Sequence, residues 1–179
     1  ACAREMLERG DLVVPTFNYE LRTHKPVLLY WLMMGSYSLL GVTEFAARFS
    51  SAVLAIGTCI CTYHIGRALF RPQVGLWAGL MMAANVMFNV AGRAATPDST
   101  LIFCTTLAML LFVRGAAAGR GLNPWSTDTG ASGRLSLDAF LPGSWQSWAA
   151  VYAAMALAVL AKGPVGVLFP TASIGLFLL

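Results

Sequence analysis

Charge is what this sequence has least of. Its 179 residues include eight Asp or Glu and twelve Lys or Arg, 11% in all. A soluble globular domain carries about 25%. A water-soluble fold of this length could bury one core but could not cover its surface with so few charges. Most soluble enzymes, disordered chains, collagen-like chains and coiled coils are therefore excluded. Cysteine is also sparse. Of the four, Cys59, Cys61 and Cys104 lie inside apolar runs, and no disulfide framework follows. Cys59-Ile60-Cys61 has no second ligand pair nearby, so these thiols read as small buried residues and no metal site is expected. The net charge is +4, but no basic cluster is interleaved with aromatics, so nucleic acid is not an expected partner.

What the chain has in abundance is apolar sequence, 58% of its residues. The runs 49–66, 72–92, 99–113, 147–161 and 163–179 contain no Asp, Glu, Lys or Arg. Spanning the hydrocarbon takes roughly 17–25 apolar residues, fewer where flanking groups snorkel. The expectation is an all-α polytopic membrane protein with about five transmembrane helices in residues 49–179. The loop 115–146 is rich in Gly, Ser, Thr and Pro and has Trp125, Trp145 and Trp148 at or near its edges. Residues 1–48 read differently: a short helix ended by Gly10, an extended stretch stopped by Pro15, a polar segment, and an apolar run at 26–41. That run would cover only about 24 Å as a helix, less than a ~30 Å core, so it is expected to lie in the interface.

Lys and Arg set the orientation. If the helices alternate, Arg67, Arg71, Arg114, Arg120 and Arg134 share one face; Arg48, Arg93 and Lys162 share the other with Glu44 and Asp98. The richer face is expected in the cytoplasm. Asp98 and Lys162 then meet the outer face, and an interfacial 26–41 helix brings Lys25 there too.

Three segments at that face hold chemistry. In Thr23-His24-Lys25-Pro26 a cation precedes a helix whose first turn tolerates proline. Ammonium and free N–H groups together suit a phosphate at headgroup level, though a snorkelling lysine would look the same. In Gly92-Arg93-Ala94-Ala95-Thr96-Pro97-Asp98, Asp98 is positioned as N-cap of a helix starting at Ser99, with Thr96 as the alternative. An acid and a cation at a bundle mouth also suit a sugar and a phosphate. In Ala161-Lys162-Gly163-Pro164 one lysine separates two apolar runs, either as a snorkelling turn residue or facing a polar cavity. Glu44 and Arg48 are spaced for an ordinary helical ion pair. His24 has no second ligand at metal spacing.

These segments, in this order, resemble the integral-membrane glycosyltransferases of the GT-C type, in the branch of the lipid A aminoarabinose transferase and the protein O-mannosyltransferases (family 39/83-like). The matching stretches are 4–15 (Arg-Glu-Met-Leu-Glu-Arg-Gly-Asp-Leu-Val-Val-Pro), Asn18, Lys25-Pro26 through Tyr30-Trp31, 41–48, 66–70, Ala95-Thr96-Pro97-Asp98 and Ala161-Lys162-Gly163-Pro164. The resemblance implies a GT-C-like helical bundle with N-terminal extracytoplasmic juxtamembrane helices, in a bacterial inner membrane. It implies transfer of a sugar, with inversion, from a polyprenyl-phosphate carrier to a lipid, glycan or protein acceptor at the outer face. By the same resemblance Asp98 matches the family's second acidic position and is a catalytic residue, and Lys25, Arg93 and Lys162 contact the carrier phosphate. His24, Arg22 and Tyr30 become possible sugar or acceptor contacts. The main catalytic Asp falls upstream of Arg4, so the chain is expected to be an inactive N-terminal-region piece. Arg22-Thr23-His24 replaces the Tyr-Phe-Glu of the aminoarabinose enzymes, which leaves sugar and acceptor open. No cofactor is required, and a divalent metal stays open. The alternative reading is a non-enzymatic transporter or flippase subunit, which would show broken helices and charges at mid-bilayer.

Overall fold

In the computed structural model the described residues are 2–10, 16–17, 20–21, 27–118 and 141–178. Helix α1 (Cys2–Arg9) is followed by a minimal antiparallel ladder, β1 (Thr16–Phe17) on β2 (Glu20–Leu21), with Thr16 opposite Leu21. The rest is helical: α2 (Leu28–Leu40), α3 (Glu44–Leu69), α4 (Pro72–Ala84), α5 (Val86–Arg93), α6 (Pro97–Ala118), α7 (Trp145–Lys162) and α8 (Val165–Leu178). The all-α expectation holds apart from that ladder. The loop expected at 115–146 lies mostly outside the described residues.

Helix starts follow local chemistry. Thr43 caps α3, its hydroxyl accepting from the Ala46 N–H at 3.1 Å, and Glu44 occupies the first turn. The helix thus begins five residues before the charge-free run, because a charged first turn is compatible with a spanning helix when it ends in the headgroups. Among the described residues no ion pair joins Glu44 to Arg48, contrary to expectation. Pro72 opens α4, where its missing N–H costs nothing.

The run 72–92, expected as one helix, is two. α4 and α5 meet at Asn85 with a 65° bend. By length and composition α3 and α6 can each cross a membrane, and the bent pair makes a third span if counted as one. α8 is apolar but shorter, with Pro170 inside it, and α7 carries Gln146, Ser147 and Lys162 at its ends.

Packing fixes the directions. A Cβ on Gly57 of α3 would meet the Phe103 ring of α6 at 2.6 Å, and the two helices run parallel. α4 runs back along α3, and their backbones touch where Gly66 meets Gly75. A Cβ on Gly75 would lie 2.5 Å from the Tyr63 carbonyl oxygen, so only glycine permits this approach. α7 is antiparallel to α6. Phe112, Val151, Ala154 and Met155 form their shared core, with Trp148 edge-on to Phe112 at 6.2 Å. The Trp148 indole donates to the Pro142 carbonyl at 3.1 Å.

The bundle therefore places Glu44, Arg48, Arg93, Asp98 and Lys162 at one end and Arg67, Arg71 and Arg114 at the other, as alternation required.

Gly75→Leu is expected to separate α3 from α4 and destabilise by about 1–3 kcal/mol. Gly35→Ala, where nothing lies within 4 Å, should be silent. Thermal melting of the detergent-purified full-length protein checks both. Equal melting of the Gly75 variant and wild type would show that this contact does not hold the helices.

Candidate functional site

α6 opens with Pro97 as its first residue. The helix thus starts two residues earlier than expected, and Asp98 is not its N-cap but part of its first turn. Thr96 stands ahead of it. The Thr96 carbonyl accepts from the Ser99 hydroxyl at 3.2 Å, while its own hydroxyl is buried without a partner. A carboxylate in a first turn is favoured by the free N–H groups and the positive end of the helix dipole.

α7 ends at Lys162 for an equally local reason. Gly163 follows with φ +78° and ψ −151°, a backbone conformation closed to most side chains, and its N–H donates to the Val159 carbonyl. The chain reverses there and Pro164 leads into α8. Lys162 is thereby held at the negative end of α7. These two helix ends meet: the Lys162 ammonium donates to Asp98 Oδ1 in an ion pair. The two charges complement each other and both helix dipoles.

Beneath the pair, Leu101 and Cys104 of α6 pack on Ala158 and Ala161 of α7, and Leu28 of α2 packs against the same cluster. The start of α2 is therefore at the Asp98–Lys162 end. Arg93 is the exposed last residue of α5, with only Ala94, Ala95 and Thr96 between it and α6. Tyr30 is 6% exposed, within a core of Cys2, Ala3, Met6, Met34, Tyr37 and Ala46 contributed by α1, α2 and α3. Arg22, His24 and Lys25 lie outside the described residues.

Two polar features near this end are not singled out by the sequence. Asn85 and Asn89 sit at the α4–α5 bend. The hydroxyls of Ser50, Ser51, Thr96 and Thr100 are buried with no partner among the described residues. Scattered Ser, Thr and Asn in apolar runs give no signal of this kind, because helices in lipid tolerate them.

With that geometry in place, similarity to known proteins decides the family. Residues 24–131 match the dolichyl-phosphate-mannose-protein mannosyltransferase family. The chain belongs to this family. An Aquifex aeolicus (strain VF5) protein named only as uncharacterized is 33% identical over 97% of the chain and 34% of its own length. The undecaprenyl phosphate-alpha-4-amino-4-deoxy-L-arabinose arabinosyl transferase of Shewanella sediminis is 30% identical over 64% of the chain and 21% of that enzyme. Among solved structures, ArnT from Cupriavidus metallidurans bound to undecaprenyl phosphate matches with a TM-score of 0.78 and 25% identity, over 98% of this chain and 29% of that one. The match supports a polytopic GT-C membrane fold. The chain spans about a third or less of these relatives' length.

The Lys162 and Asp98 side chains are 46% and 43% exposed, so water screens their attraction. A double-mutant cycle with Asp98→Asn and Lys162→Met is expected to give a coupling of about 0.2–1 kcal/mol in unfolding stability. A coupling of several kcal/mol would make the pair a structural clamp.

Proposed function

We propose that this chain forms the carrier-phosphate side of a membrane glycosyltransferase active site. The reaction moves a sugar, with inversion, from a polyprenyl-phosphate carrier to a lipid, glycan or protein acceptor at the outer face of a bacterial inner membrane. The observation that carries this reading is the meeting of Asp98 and Lys162 at the bundle end where Arg93 and the start of α2 also lie. Family membership supports it, as does the likeness to a protein crystallised with undecaprenyl phosphate.

The chemistry follows from those groups. The leaving polyprenyl phosphate gains negative charge as the sugar departs. Lys25, Arg93 and Lys162 offset that charge, most effectively where lipid and protein exclude water. Lys25 is three residues ahead of Leu28 in sequence, and Leu28 packs against the cluster under Asp98 and Lys162. Asp98 holds an acceptor or sugar hydroxyl and keeps the lysine oriented until a phosphate competes for it. The general base that takes the acceptor proton is a second carboxylate upstream of Arg4. His24 and Arg22 contribute to sugar or acceptor choice, whereas Tyr30 is enclosed in the core of α1, α2 and α3. By this reading residues 1–48 form an outer-face unit, and five helices of residues 49–179 are embedded in the bilayer, the shorter α7 and α8 accommodated by thinning or snorkelling. No step requires a cofactor from these residues.

The test uses the full-length protein in nanodiscs, a panel of radiolabelled undecaprenyl-phosphate sugars and a membrane extract. Release of label from the carrier is followed. Lys25→Ala and Lys162→Ala are each expected to slow release about tenfold or more, since hydrogen bonds to a charged partner contribute about 1.5–3 kcal/mol. Insertion and melting should stay near wild type. Undiminished release by Lys25→Ala would sink its role; no release with any donor, from folded wild type, would sink the transferase reading.

A further inference from the structure

The α4–α5 bend contains no proline, the usual cause of a sharp kink. Two asparagines build it instead. Asn85 leaves the helix with ψ 121°, and its side-chain oxygen accepts from the Phe88 N–H at 3.0 Å, capping α5. The Asn89 amide donates to the Ala83 carbonyl at 2.6 Å and to the Asn85 carbonyl at 3.0 Å. The Asn85 carbonyl also accepts from the Asn89 backbone N–H at 3.0 Å, whereas the Ala83 carbonyl stands at the break and would be costly in an apolar surrounding if left bare. The faces around them are exposed and apolar, with Trp77, Met81, Val86, Met87 and Val90. In hydrocarbon no water would do the same work, so the amides lower the cost of the break there.

The bend sets a height. Gly75 of α4 lies against Gly66 of α3. A straight helix kept in that antiparallel register would bring Gly92 level with Phe49. The structure sets Gly92 against Ala55 instead, six residues or about 9 Å short of that point. At this height α5 ends where α6 begins, after the turn in which Thr96 N–H donates to the Ala94 carbonyl at 2.9 Å. Arg93, the last residue of α5, therefore stops at the level of the Asp98 turn rather than overshooting it.

We infer that Asn85 and Asn89 are positioning residues, a paired-amide bend that holds Arg93 at the height of the Asp98–Lys162 end for contact with a carrier phosphate. This rests on the carrier reading above for what Arg93 contacts, but not for the bend itself.

The test uses the full-length protein in nanodiscs with native cysteines replaced and spin labels on Phe45→Cys and Val90→Cys, both exposed positions. In the double variant Asn85→Leu/Asn89→Leu the label separation should shorten by several ångström as the helix straightens and Val90 shifts about 9 Å along the α3 axis. Adding Val86→Pro, a proline at the first position of α5, should restore it. Affinity for undecaprenyl phosphate should fall about tenfold in the double variant and in Arg93→Ala alike. Combining them should cost no more than either alone, and Val86→Pro should recover affinity in the double variant. An unchanged label distance would overturn the bend assignment. A shifted distance with an affinity loss that adds to that of Arg93→Ala would overturn the link to Arg93. Wild type that binds no undecaprenyl phosphate would overturn the carrier reading and Arg93's part in it, while the label distance still decides the bend.

Discussion

A chain this apolar has to satisfy its backbone within itself. In hydrocarbon a bare N–H or C=O costs several kcal/mol, and helix ends are where such groups accumulate. That constraint orders the described structure. Helix ends are gathered at the two faces of the bundle and finished by local devices: Thr43 at the start of α3, Pro97 at the start of α6, Gly163 at the end of α7. The break between α4 and α5 carries two asparagines: the Asn85 side chain takes the Phe88 N–H and the Asn89 amide takes the Ala83 carbonyl. Among the described residues, charge is thereby gathered toward the ends, where a site for a charged headgroup can form.

The same constraint explains why Asp98 and Lys162 suit a functional role better than a structural one. A first-turn acid and a last-turn cation are favoured separately by their own helix dipoles. Antiparallel packing of α6 on α7 through Ala158 and Ala161 then brings the two ends together without help from the charges. The ion pair follows from the packing and adds little to it, because both groups are nearly half exposed. A lysine that loses little by leaving its partner is available to a phosphate. A buried pair would not be, since separating it would strand an uncompensated charge.

Much of this was legible in the sequence because the signals are local. Charge-free runs mark the apolar helices, and Lys162-Gly163-Pro164 marks a helix end and a reversal. Alternation alone puts Asp98 and Lys162 at one end, although no spacing rule could show that residues 64 apart touch. The misses are instructive. Asp98 reads as an N-cap by residue type, but Pro97 claims the first helical position and moves the start. Tyr30 reads as an aromatic facing the site or the interface, yet α1 and α3 enclose it in a core that no single segment encodes. The break at Asn85 was invisible because asparagine in an apolar run is compatible with a continuous helix. What decides the matter is the close Gly66–Gly75 contact on one side and Gly92 on Ala55 on the other, which a straight helix cannot satisfy together.

A broken span is also what a transporter would be expected to show, so its chemistry matters. In transporters the freed backbone groups at a break face a cavity and coordinate the cargo near the bilayer midplane. At Asn85 some of them are taken up within the chain: the Phe88 N–H by the Asn85 side chain and the Ala83 carbonyl by the Asn89 amide. Nothing charged accompanies them, since 72–92 contains no Asp, Glu, Lys or Arg. Among the described residues, the charges stay at the helix ends rather than in the middle of the apolar helices, where a transport pathway would place them.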